Sequence, residues 1–330
     1  MGAPPDPNRR ELLKRAGATG GILLAGGLIG AWRYDAGGFD VAKAGKVGQT
    51  RDFRVGADGP ADMCIARRGI SESERPTPAA LVQRAVDGIG GMRRFISRGD
   101  VVVVKPNIGW DRAPVHAANT NPEVVAEVVR LVYDAGAKSV VVTDASCNEA
   151  NRCFHRSGIW HAVDAVGGKV ILPKEPLFKS MRLKGEVLDD WPIFTPLVNA
   201  DKVINVPVAK HHNLAVYTGA MKNWYGLLGG RRNRLHQNID VSIADLATFM
   251  QPTLTILDAV RVLMRNGPQG GNIADAKDLD VVVASIDQVA IDAFGCTLIG
   301  KTAKQVPYLA MGEERGLGTT NLDALRVVTG

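Results

Sequence analysis

From about residue 63 onward, apolar positions in this chain follow two alternating rhythms. Short β-branched runs, VVVVK at 101–105 and SVVVT at 139–143, alternate with segments whose apolar residues recur at helical spacing. An apolar run without polar alternation marks a strand buried on both faces, as in parallel sheets. The spacing predicts a helix over Pro78 to Ile96 that turns at Gly99-Asp100 into the 101–105 strand. PEVVAEVVRLVYDAG predicts a second helix, with Pro122 in its first turn and Gly136 at its end, positions that suit a fixed φ and a left-handed exit respectively. Further along, the pattern predicts a helix near 152–166, a strand KVILP and an irregular stretch over 175–198. It then predicts the strands KVINVPVA at 202–209, LTILDA at 254–259 and LDVVVAS at 279–285, a helix from Asp287 to Leu298 and another near 303–315. Strands alternating with helices predict an α/β fold, a doubly wound, mostly parallel sheet with helices on both faces, as a single α/β domain over 45–330.

The first 44 residues follow a different pattern. Asn8-Arg9-Arg10-Glu11-Leu12-Leu13-Lys14 precedes the glycine-rich apolar run AGATGGILLAGGLIGAW. This resembles a twin-arginine export signal, and it predicts recognition by the twin-arginine export machinery and a periplasmic location. The alternative is an N-terminal anchor, because Ala42-Lys43-Ala44 offers a small-x-small cleavage pattern only well past the apolar run. Membrane contact is then expected through this segment alone. Twin-arginine passengers travel folded, which hints at a cofactor or metal loaded before export.

Composition narrows the chemistry. Hydrophobic residues make up 45% of the chain and the formal charge is +6, but the basic residues are interleaved with acidic ones. No aromatic-interleaved basic stretch appears, so a nucleic-acid partner is not expected, and the basic excess points to a small anionic ligand. GxSxG, GxxxxGK[ST] and strand-borne GxGxxG signatures are absent, which removes support for a serine hydrolase, a P-loop ATPase and a standard nicotinamide dehydrogenase. The four cysteines, Cys64, Cys147, Cys153 and Cys296, form no CxxC or ferredoxin-type run, which argues against an iron–sulfur cluster. Cys147 and Cys153 could pair, share a metal with His155, or remain two thiols.

Open parallel sheets bind ligands at the carboxyl ends of their strands. Just after the predicted strands stand Lys105 and Asn107, Asp144, Lys210-His211-His212, Asp258 and Asp287, although such residues also serve as helix caps. TGAMKNWYGLLGG then brings Lys222 and Asn223 as donors to anionic oxygens, and Trp224 and Tyr225 as ring faces or as core. We expect Lys105, Asn107, Lys210, Asn223, Trp224, Tyr225 and His236 to contact the ligand. Catalysis is assigned to His211, His212, Lys222 and Asp144, a histidine moving protons and Asp144 orienting it. A metal held by His211 or His212 with His236 and Asp144 is an open alternative, without the HxH or HExxH spacing that would identify it.

Several of these stretches resemble the family called domain of unknown function 362. They are GDVVVVKPN, TNPEVVAEVVRLVYDAGAKSVVVTDA, NADKVINVPVAKHHNLAVYTGAMKNWYGLLGGRRNRLH, IADL, LTILDAV and VVVASIDQVAIDAFG. Many relatives are described as iron–sulfur proteins on the strength of ferredoxin-type cysteine runs that this chain lacks. Ala200-Asp201 through Lys222 is also similar to the strand-loop region of the nickel-pincer lactate racemase group, a likeness that implies histidine and lysine around a cofactor. Two functions follow as expectations. One is an exported cofactor- or metal-dependent enzyme, redox chemistry included, acting on a small anion. The other is a non-catalytic periplasmic binding protein or an accessory subunit of a membrane complex.

Overall fold

The computed structural model describes residues 51–69 and 75–330, so the export signal and anchor expected over 1–44 lie outside the described residues. In chain order come β1 (Arg51–Asp52), β2 (Met63–Arg67), α1 (Pro78–Gly88), β3 (Val101–Pro106), α2 (Pro122–Asp134), β4 (Ser139–Val142), α3 (Ala150–Arg156), α4 (Ile159–Ala165) and β5 (Lys169–Val170). A hairpin of β6 (Phe178–Arg182) and β7 (Asp190–Phe194) follows, then β8 (Lys202–Val206), β9 (Val208–His212), β10 (Val216–Thr218) and α5 (Ala220–Asn223). The chain closes with α6 (Ile239–Phe249), β11 (Met250–Gln251), β12 (Leu254–Leu263), β13 (Ala276–Ser285), α7 (Gln288–Thr297), α8 (Pro307–Glu314) and β14 (Val327–Thr329).

The main sheet runs β14-β2-β13-β12-β8-β3-β4-β5, with β9 also on β12 and β10 on β9. The block β12-β8-β3-β4-β5 is parallel throughout, whereas β13 runs antiparallel to β12 and β2. Alternate side chains of each strand enter opposite faces. Val102, Val104, Val140, Val142, Ile204 and Ile256 pack in one core with apolar residues of α1, α2, α3 and α4. Val103, Val141, Val203 and Leu257 are equally buried. On this second side α5 packs on β8, α7 packs on β9, β12 and β13, and α6 and α8 lie against α5 and α7. Unbroken valine runs are therefore buried on both sides, and the fold is the expected α/β one, with a mostly parallel sheet and helices on both faces.

Local differences from the sequence expectations have backbone causes. The helix expected over 152–166 is two helices, because Gly158 sits at φ 78° between them. The 202–209 strand divides into β8 and β9 at Pro207, which has no N–H to give a ladder. Residues 175–198, read as irregular, hold the β6–β7 hairpin. Asn121 caps α2, its side chain accepting from the Glu123 N–H, with Pro122 in the first turn as the sequence suggests.

Candidate functional site

Where the carboxyl ends of β3 and β4 meet β9 and α5, side chains enclose a cavity of about 330 Å³. Its wall includes Asn107, Asp144, Cys147, Lys210, His212, Lys222, Asn223, Tyr225, Arg232 and His236. The sheet dictates this convergence. β3 and β4 are parallel neighbours, so the loops after Pro106 and Val142 leave on the same edge, and β9 delivers Lys210 beside them.

An ion pair joins Asp144 on the wall to Lys105 behind it. Lys105 Nζ stands 2.7 Å from Asp144 Oδ1, with both residues buried, and it also donates to Pro106 O at 2.9 Å and Asn223 Oδ1 at 3.0 Å. The ammonium thus has two hydrogen-bond acceptors and one counter-charge. Burial pulls the Lys105 pKa down and the Asp144 carboxylate pulls it back up. Asp144 Oδ2 accepts from the Ile108 N–H at 2.7 Å. Gly226 makes this packing feasible, since a Cβ there would lie 1.8 Å from Asp144 Oδ1 and 2.7 Å from Lys105 Nζ.

Among the described residues, the cations of the cavity wall form no ion pair of their own. Lys210 is 1% exposed, and its Nζ donates to Asn107 Oδ1 at 3.0 Å and to Ala118 O. Burial, and then the Lys222 ammonium, lower its pKa from 10.5 to about 7. A neutral amine has two N–H donors and one lone pair, so both acceptors stay satisfied when Lys210 is uncharged. Lys222 is 9% exposed. Among the described residues its Nζ meets only the Tyr225 ring, 4.6 Å from the centroid, and burial lowers its pKa to about 8. Arg232 donates to the carbonyls of Ala145, Tyr225 and Ser146, none of which balances its charge. An ammonium held away from water without a counter-charge is unfavourable, so this arrangement favours an anion in the cavity.

The amides and histidines have defined roles. Asn223 spends both lone-pair and both N–H sites on Lys105 Nζ, Asn107 Nδ2, Lys105 O and Asn205 Oδ1, so it braces the wall and has no donor left for a ligand. Asn107 keeps one amide hydrogen, having given the other to Asn223. His212 Nδ1 accepts from the Leu214 and Ala215 N–H groups, both at 3.1 Å. Since backbone N–H only donates, the ring is the neutral Nε2–H tautomer, and burial followed by the Lys222 and Lys210 charges drives its pKa to about 2. His212 is therefore a hydrogen-bond donor, not a base. His236 is the opposite case: its Nδ1 lies 3.1 Å from Asn233 O, which fixes Nδ1–H and leaves the Nε2 lone pair for a proton or a metal.

The cavity brings together eight of the residues singled out in the sequence: Asn107, Asp144, Lys210, His212, Lys222, Asn223, Tyr225 and His236. It excludes three. Lys105 lies behind Asp144, Trp224 is core with Nε1 donating to Gln288 Oε1 at 2.9 Å, and His211 accepts from the Gly267 N–H outside the cavity wall. The proposed metal set is not assembled. Among the described residues no three His, Cys, Asp or Glu side chains converge, because Asp144 is committed to Lys105 and His212 to its own turn. Asp258 and Asp287, listed by position at strand ends, accept from Asn121 and Val260 N–H and from Val289, Ala290 and Thr319 N–H respectively, so they are structural caps. All four cysteines are free thiols; Cys153 is buried, whereas Cys147 is exposed on the cavity wall, and His155 stacks on Trp160 at 4.6 Å. Sequence reasoning gave no site role to Arg232, although RRNR at 231–234 offered a signal in its run of basic residues beside the glycines.

Comparisons with known proteins add the family. A thylakoid-associated protein of Synechocystis sp. is 27% identical over 257 residues, covering 73% of this chain and 76% of that protein. Among solved structures, the lactate racemase apoprotein from Thermoanaerobacterium thermosaccharolyticum aligns over 71% of this chain and 56% of its own, with a TM-score of 0.41 and 12% identity. A structural-genomics protein from Thermotoga maritima aligns over 70% and 60%, with a TM-score of 0.41 and 9% identity. The chain thus spans less than two thirds of either structure. The description "Domain of unknown function (DUF362)" matches residues 102–297, and the chain belongs to that family.

Proposed function

We propose that this chain is an exported enzyme that binds a small anionic ligand in the β3–β4–β9 cavity and moves a proton through Lys210. The observation that carries the reading is the Lys222 ammonium, nine-tenths buried and with no hydrogen-bond or ion-pair partner among the described residues. Lys222, with Arg232 and the spare Asn107 amide hydrogen, holds the anionic group. Lys210, with a pKa of about 7, exchanges a proton near neutral pH, where a general acid or base is most effective. His212 contributes a neutral donor and His236 a second lone pair. Export rests on Arg9-Arg10 and the apolar run after them, and the thylakoid association of the Synechocystis relative is in keeping with a membrane-directed route.

Calorimetric titration with inorganic phosphate and acetate tests the site. Lys222→Met is expected to weaken binding at least tenfold without lowering the urea midpoint. Equal binding by wild type and Lys222→Met, or none by either at millimolar ligand, overturns the reading. Cell fractionation of the Arg9→Lys/Arg10→Lys double variant tests export, with loss from the periplasm expected.

A further inference from the structure

Resting on that anion-binding reading, we infer that the ligand is elongated, with an anionic head in the inner cavity and a planar or apolar body in an adjoining groove. The groove encloses about 750 Å³ and shares Ala145, Cys147, Arg232 and Asn233 with the inner cavity. The two spaces therefore adjoin along a saddle formed by these shared residues. Arg232 fixes that saddle, because it holds the carbonyls of Ala145, Ser146 and Tyr225 at once. Lys210 and Lys222 line only the inner side, Arg232 lines both spaces, and Arg231 lines the outer one.

The outer floor has different chemistry. Phe178 and Pro192 of the β6–β7 hairpin and Leu228 form an apolar strip there, between polar walls that include Asn148, Glu175, Ser180 and Arg231. Phe178 is held by stacking on Phe194, ring centroids 5.0 Å apart. The hairpin is clamped to the loop below it by Trp191 Nε1 donating to Gly229 O at 3.0 Å and the Gly229 N–H donating to Pro192 O at 2.9 Å. Gly229 is required there, since a Cβ would lie 2.6 Å from the Phe178 ring. A preformed aromatic and proline strip, joined through Arg232 to the cavity that holds the unpaired Lys222 ammonium, matches an organic anion with a ring or alkyl body. Phosphate or acetate fills only the inner space.

A homologous ligand series separates this inference from the reading beneath it. Acetate, benzoate, 3-phenylpropionate and 5-phenylpentanoate are titrated calorimetrically against wild type, Ala150→Trp and Ser180→Trp, since Ala150 and Ser180 both line the groove. We expect 5-phenylpentanoate to bind at least tenfold tighter than acetate. Either tryptophan should remove that gain and leave acetate and inorganic phosphate affinity unchanged; two variants at separate positions guard against one failing to fold. At saturation 5-phenylpentanoate should also slow iodoacetamide labelling of Cys147, the exposed cysteine among the four. A flat series in a protein that binds acetate, a gain that survives in both tryptophan variants, or unchanged labelling overturns the elongated ligand and leaves the small-anion site standing. Failure of every anion overturns the site itself.

Discussion

The acids capped by backbone donors and the bases of the cavity wall are treated in opposite ways in this molecule. Asp292 accepts from the Ala220 and Met221 N–H groups at 2.5 and 2.9 Å. Asp245 accepts from three successive N–H groups, Glu186 to Leu188, and pairs with Arg315. Asp258 and Asp287 likewise end on backbone donors. Each acid is completed by its own chain. Among the described residues, Lys210, Lys222 and Arg232 have only neutral acceptors or a ring face. A buried charge that the fold completes serves the fold, and one that the fold leaves open serves whatever enters.

The Lys105–Asp144 pair gives the strongest test of that contrast. Asp144→Ala leaves Lys105 buried without its counter-charge and the Ile108 N–H without an acceptor, and removing one partner of a buried pair costs about 3–5 kcal/mol. Urea unfolding at pH 7 measures it; a loss below about 1 kcal/mol would move Asp144 from the structural group to the ligand-facing one. Next comes Asp292→Ala, which orphans two buried N–H groups at about 1–3 kcal/mol each and is expected to shift the same transition while anion affinity in any protein that remains folded stays within about twofold.

Lys222→Met should do the reverse, holding or raising stability while binding falls. Its pH dependence sharpens the point. Lys222 has a folded pKa of about 8, below its ordinary 10.5, so between those values the unfolded chain binds more protons than the native one. Wild-type stability relative to Lys222→Met is therefore expected to rise with pH from about 8 to 10.5. Anion affinity should fall over the same rise, because the ammonium is being lost. Parallel slopes in denaturation and titration would break the account. The smallest effect belongs to His211→Ala, which removes one acceptor for the Gly267 N–H. We expect about 1 kcal/mol of stability and less than a twofold change in anion affinity.

The sheet was readable because VVVV and the apolar residues of SVVV and VINV fall on both sides of the pleat, the pattern of a doubly covered strand. The site was readable in part for a related reason: Asn107, Asp144 and Lys210 sit next to those strands, so strand order alone gathers them. Burial depth was not readable. Lys105 and Lys210 both follow valine-rich strands and look alike in sequence, yet one meets a carboxylate and the other a carbonyl and an amide. Nor could adjacency separate His211 from His212, because alternate residues of β9 face opposite ways and the strand runs through the pair where the sequence suggested a loop. Arg232 escaped notice because two of its three carbonyl partners, Ala145 and Ser146, come from a distant segment.

The most direct measurement is a pH titration of 13Cε-labelled lysines by NMR, in the presence and absence of inorganic phosphate, with Lys210→Met and Lys222→Met assigning the signals. The account predicts midpoints near 7 and 8 for Lys210 and Lys222 that move upward when phosphate binds. Two lysines titrating near 10.5, unmoved by phosphate, would contradict it.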